Sequence, residues 1–232
     1  MHPIRHFKTI TAHRHLVCRY CFRLGLIGQG LVHDLSKYSL EEFLRGAKYF
    51  QGFRSPNDEE RAQTGLSLAW LHHKGRNRHH FEYWIDWVVE PGGTVKYAGN
   101  KMPLKYIAEM FCDRIAASKV YLGERYTDAS PYEYYIKGKP NAATMHAETM
   151  AELEEMLLTL KEKGEDAAFQ YVRERLRKEK KNRMRKHLNA ETDSKTRRRK
   201  LHECRNRYCY RSGNSCRWCF HKRLFLLPER TG

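Results

Sequence analysis

Five groups of residues along the chain carry side chains that bind metal ions or move protons. They are His13, the pair His33-Asp34, the pair His72-His73, the pair His79-His80, and Asp113. Neutral imidazole and carboxylate are the ordinary ligands of Zn, Mn, Fe and other divalent ions. A His-Asp pair at a helix end can turn both side chains into one bundle interior, where the carboxylate can bridge two ions. Each group alone has a plainer reading. A single His on an apolar stripe is more often a hydrogen-bonded core residue. Asp113 alone could be a cap or an ion-pair partner, and HHKGRNRHH alone could be a solvated basic loop. Four His-bearing groups and a helical Asp in one body favour the metal.

These residues ride on helical patterns. Ile10, His13, Leu16/Val17, Tyr20 and Leu24 recur at helical spacing, and Gly25 closes that helix. His13 therefore faces inward and His15 outward. Ser39, with Glu42 three residues on, reads as a capping box opening a helix striped by Leu40, Phe43/Leu44, Ala47 and Phe50. Residues 51–57 read as a loop, 62–73 as one helix, and 90–103 as a long turn-rich connection. Pro103 opens a helix with Leu104, Ile107/Ala108, Phe111 and Ile115. Asp113 lies on it between two apolar faces, and a carboxylate so placed needs a partner or a metal. Residues 127–143 read as irregular and 148–163 as a helix ended by Gly164. A last helix starts near Ala167 and drifts into basic sequence. No strand alternation longer than a few residues is evident. The expectation is an all-α bundle over residues 1–180, followed by a basic tail over 181–232.

Composition limits the function. The 232 residues include 41% hydrophobic and 12% aromatic side chains, enough for a real core. No run of eighteen apolar residues is present, so no membrane-spanning helix is expected. The opening MHPIRHFKTITAHRH lacks an apolar segment, so no secretory signal is expected. Cysteine occurs 7 times, and Cys18, Cys21 and Cys112 sit singly in helical patterns, which points to a reducing cytoplasm rather than a disulfide scaffold. The formal net charge is +17, but residues 181–232 hold 16 Lys and Arg against 4 Asp and Glu. Residues 1–180 hold 28 against 23, so the body is only mildly basic.

The order His…His-Asp…His…His…Asp on helices resembles the HD superfamily of metal-dependent phosphohydrolases. Val17 follows His13 by four residues, as in that family's first metal-binding helix. HDLSK has the family's frequent HD-x-x-K form, with Lys37 three residues after Asp34. More closely, GLVHDLSKYSLEEF, AWLHHKGRNRHHFEYW and EMFCDRIAASKVY resemble an uncharacterised bacterial and phage family, a domain of unknown function, over about residues 7–175. The gap from His13 to His33 is short for an HD protein and leaves room for one helix and a turn.

The HD resemblance implies an HD-like bundle holding one or two ions of Mn, Fe, Zn or Ni. His13, His33, Asp34 and Asp113 would bind the first. His73 and His80 would bind a second, with Asp34 bridging, although either member of each HH pair could serve. An activated water would attack phosphorus in line, in a nucleotide or another small phosphate ester. Lys37 would face a phosphate oxygen, or is an ordinary exposed lysine. Arg76, Asn77 and His79 would bind substrate, with Arg78 beside them; the plainer reading is a solvated loop with Asn77 as a turn residue. Glu109 could be a general base, a partner of a ligand His, or a surface residue paired with Lys105 or Arg114. Glu82 could orient a ligand His. Tyr83, Trp84 and Trp87 read as core packing rather than a stacking platform.

The tail holds KTRRRK and four cysteines, Cys204, Cys209, Cys216 and Cys219. Their spacing could make a small zinc knuckle. The expectation for the tail is nonetheless a disordered, polyanion-binding extension, with a stretch outside selected protein sequence as a further reading. Two further functions compete with hydrolysis: nucleic-acid binding through residues 181–232, and a metal-bound helical module without catalysis.

Overall fold

The computed structural model describes residues 1–208, and side chains through residue 196 with those of residues 198 and 199. Cys209, Cys216 and Cys219 lie outside the described residues, and so does the side chain of Cys204. The described chain forms two units, Met1–Arg177 and the residues from Lys178 onward.

The first unit is helical, as expected. In chain order it contains α1 (Pro3–Leu24), α2 (Ile27–Val32), α3 (Leu40–Lys48), α4 (Pro56–Thr64) and α5 (Leu68–Lys74). A hairpin of β1 (Ile85–Val89) and β2 (Val95–Gly99) follows, then α6 (Leu104–Leu122), α7 (Ser130–Gly138) and the first part of α8 (Ala147–Tyr208). Gly25 closes α1 with φ 78, and its N–H reaches the carbonyls of Cys21 and Phe22. Ser39 caps α3 by accepting from the Glu42 N–H. Among the described residues, no helix is long and apolar enough to cross a membrane.

Several readings of the sequence need correction. Residues 62–73 form no single helix, because Gly65 (φ 82) ends α4 and Ser67 caps α5. The connection after residue 84 is an antiparallel hairpin pairing Trp87 with Tyr97. Its strands are short, and both flank the turn residues that masked them. Residues 130–138 are helical, since Pro131 starts a helix as readily as it breaks one. Trp87 is 67% exposed, and Tyr83 is also exposed, so of the three aromatics only Trp84 packs against the core.

The core joins α1, α6 and both parts of α8. Val17, Tyr20 and Leu24 meet Ile107, Phe111 and Ile115, then Leu153, Leu157 and Leu160. Gly164 (φ 81, ψ 174) breaks α8, and its second part returns Ala168, Phe169 and Val172 to the same cluster. This packing fixes α1 against α6, the two helices that carry His13 and Asp113. The second unit continues α8 to Tyr208, with the side chains of residues 180–196 exposed. The expectation of a disordered tail over 181–232 meets a helix over the described part, 181–208, and its remainder lies outside the described residues. Residues 181–208 hold 4 Lys and 7 Arg, good helix formers, and neither Pro nor Gly to break the helix.

Candidate metal centre

The His-Asp pair is set by a constrained turn. α2 lies close against α1 because residue 30 is glycine. A Cβ there would come within 2.9 Å of Cys21 Cβ and 3.2 Å of Cys18 Cα. α2 ends at His33, and Asp34 then adopts φ 53, the one positive φ outside glycine among the described residues. A non-glycine residue held there costs about 1–3 kcal/mol unless its surroundings impose it, and such outliers cluster at functional sites. Here Arg14 pins the backbone that leads into the turn. Its Nε donates to the His33 carbonyl at 2.7 Å and its Nη2 to the Leu31 carbonyl at 3.1 Å. The turn sends both side chains inward, with His33 1% and Asp34 0% exposed.

Asp34 stands between two sets of donor atoms. Its Oδ2 lies 3.6 Å from His13 Nε2 and 3.3 Å from His33 Nε2. Asp113 Oδ1 closes that set, 3.0 Å from His13 Nε2 and 3.6 Å from His33 Nε2. The other oxygen, Oδ1, lies 3.3 Å from His73 Nε2 and 3.4 Å from His79 Nε2. His80 completes the second set, its Nε2 2.9 Å from His73 Nε2. Within each set the candidate ligand atoms all fall within 4.8 Å of one another. Lys37 sits at the edge, Nζ 2.6 Å from Asp34 Oδ2.

Carboxylates behind the histidines hold their rings. Glu109 Oε1 accepts from His33 Nδ1 at 2.9 Å and from His79 Nδ1 at 3.2 Å. Glu109 Oε2 accepts from Gln29 Nε2 at 2.6 Å. Burial pushes the Glu109 carboxyl up, but the hydrogen bonds from His33 and His79 prevail and bring it down to about 2. Glu42 does the same for α5, accepting from His73 Nδ1 at 2.8 Å and His72 Nδ1 at 2.6 Å. With Nδ1 protonated toward a carboxylate, each Nε2 presents its lone pair to the interior, the form a metal takes. The third cluster of possible ligands, His33, His79 and Glu109, is this bracing contact seen from the Nδ1 side.

The donor set fits a cation. His13 Nε2, His33 Nε2, His79 Nε2 and both Asp34 oxygens are buried and make no well-aligned hydrogen bond, and the cationic side chain at hand, Lys37, reaches only Asp34 Oδ2. Buried polar atoms in such a state are rare, and each costs about 1–3 kcal/mol. That so many converge on one point has a simple physical resolution: a positive charge between them. Without one, protons must serve. Burial pulls His33 down, yet the Asp34 charge and the close approach of Asp113, Asp34 and Glu109 hold it well above the usual imidazole value. His80 goes the other way, kept well below by burial and by the charges of His79 and His73.

The structure thus gathers His13, His33, Asp34, His73, His80 and Asp113 around one point. It adds His79, which the sequence reading named for substrate and left open as a ligand, and leaves His72 outside on Glu42. Asn77 faces inward as well. Its Nδ2 donates to the His73 carbonyl at 2.8 Å and Ser36 Oγ at 2.9 Å, which ties the loop to α5. Glu109 stands behind the ligand histidines, with Oε1 at His33 and His79 Nδ1 and Oε2 at Gln29. Glu42 and Glu109, rather than Glu82, are the carboxylates that reach the ligand histidines. Glu42 and Arg14 were missed. Glu42 hid inside a capping signal, and no local pattern marks an Arg that binds carbonyls beyond the next turn.

Fold and centre together define a helical protein with buried His/Asp clusters able to hold a metal ion. The chain belongs to DUF5662, a family of unknown function, which it matches over residues 2–159. That span contains every residue of the centre. No curated protein and no solved structure matches the chain.

Proposed function

We propose that this protein is a metal-dependent phosphohydrolase of the HD type, acting on a small phosphate ester through two divalent ions that share Asp34. One observation carries the reading: a single buried carboxylate offers one oxygen to each of two His-rich sets. The order of the ligands and the HD-x-x-K turn support it. His13, His33, Asp34 and Asp113 would hold one ion, and Asp34, His73, His79 and His80 the other. Bound divalent ions supply Lewis acidity and lower the pKa of water toward about 7.

The chain's own residues do the rest. Glu42 and Glu109 keep the imidazoles in the ligand tautomer. Arg14 and the left-handed turn fix the direction of the shared carboxylate. Lys37, with its ammonium beside Asp34 and 27% of its side chain exposed, offers a cation to a phosphate oxygen. The core helices around the centre exclude bulk water from its inner face.

Phosphate release from p-nitrophenyl phosphate and from nucleoside monophosphates tests this. The full chain loaded with Mn, Fe, Zn or Ni should release phosphate, and chelation or Asp34→Asn should abolish release. A fully loaded, folded protein inert on every such ester would contradict it.

A further inference from the structure

Beside the centre lies a cleft of about 500 Å³ between α2, the start of α6 and the loop after α5. Its floor includes His33, His79 and Glu109, and Leu26 and Ile27 form an apolar side. Arg76 and Arg78 stand at its rim with Tyr106.

The loop that carries the two arginines is anchored on both sides. Asn77 between them is buried, and its amide is held by Ser36 and by the His73 carbonyl. The Arg78 carbonyl accepts from Trp84 Nε1 at 2.8 Å. A residue pointing in, between neighbours pointing out, sets both guanidiniums over the cleft. Each has a neutral partner there. Arg76 Nη1 reaches the His72 carbonyl at 3.3 Å and Arg78 Nη1 the Tyr106 hydroxyl at 3.2 Å. Neither makes an ion pair with a carboxylate among the described residues, whereas Arg23, Arg45, Arg54, Arg61 and Arg175 all do. Two planar forks on an anchored turn, without counter-ions, match the oxygens of a phosphate. The next residue after Arg78 is His79, a candidate metal ligand, so an anion on the arginines lies one residue away from the centre.

We propose that this cleft binds a second anionic group, so that the ligand carries two: a diphosphate or bisphosphate with an organic body against the Leu26 and Ile27 side. The identity of the ligand as a substrate rests on the hydrolase reading; its binding does not.

Calorimetric titration of the metal-loaded full chain tests the assignment, with inorganic pyrophosphate and ADP against inorganic phosphate and AMP. The two-anion probes should bind at least about tenfold more tightly, the gain from one charge-assisted pair. Arg76→Gln/Arg78→Gln should erase that preference while metal content and melting temperature stay unchanged. Arg78→Lys, which keeps the charge and loses the fork, should retain part of it. Equal binding of the probes, binding of none, or a preference that survives the double substitution would overturn the assignment. Preferential binding without phosphate release from any probe would count against hydrolysis and leave the cleft standing. Phosphate release without the preference would do the reverse.

Discussion

Glu42 shows how one side chain can belong to two levels of the structure. Its N–H takes the Ser39 cap, which is local and visible in the sequence. Its carboxylate crosses to α5 and holds His72 and His73, which is not. Loss of such a partner of a ligand histidine typically weakens metal binding about 10- to 100-fold. Glu42→Gln keeps the backbone cap and the size of the side chain. It should therefore cost that factor in metal affinity, read by competition with a chromogenic chelator, with little loss of helix. Unchanged affinity would remove Glu42 from the centre. Glu109 was readable as a partner of Asp113's helix face, but its two imidazole contacts join residues 76 and 30 positions away. The ligand types and their order could be seen in the chain; who stands behind each ligand depends on packing.

The elements follow the same division. Helix ends were legible where they rest on one residue: Gly25 with its positive φ, Ser39 as a cap, Gly164 as a break. The hairpin and α7 were not, since glycine, proline and tyrosine signal turns and helix starts alike. The packing of α1 on α3 was also illegible, because it depends on a missing side chain. A Cβ at Gly46 would run into the His6 ring. His6 is buried there between Phe43 and Phe50, and its Nδ1 has no hydrogen-bond partner. Burial, then the charge of Lys37, lowers its pKa to about 4. The unfolded chain accepts this proton near 6.5, and the folded one resists it down to about 4. Stability from this site is therefore complete above 6.5 and lost as the pH falls toward 4. Urea unfolding should show the wild type losing about 2 kcal/mol more than His6→Leu between pH 7 and pH 4.5. Parallel losses in the two proteins would place the titration elsewhere.

For the whole molecule, charge and function separate along the chain. The centre sits in the mildly basic first unit, inside the span matched by the family. The excess positive charge lies mostly beyond it, so the overall +17 says little about the chemistry. The all-α class could be read from periodicity alone. The meeting of α1, α2, α5 and α6 at Asp34 could not, because it requires contacts across most of the first unit.

The central claim is that Asp34 joins two metal sites. Elemental analysis of the purified, metal-loaded full chain tests it most directly, beside Asp113→Ala and Asp34→Ala. The account predicts two equivalents in the wild type, one in Asp113→Ala and none in Asp34→Ala. Wild-type protein that folds, is offered Mn, Fe, Zn and Ni in turn, and remains empty would contradict it.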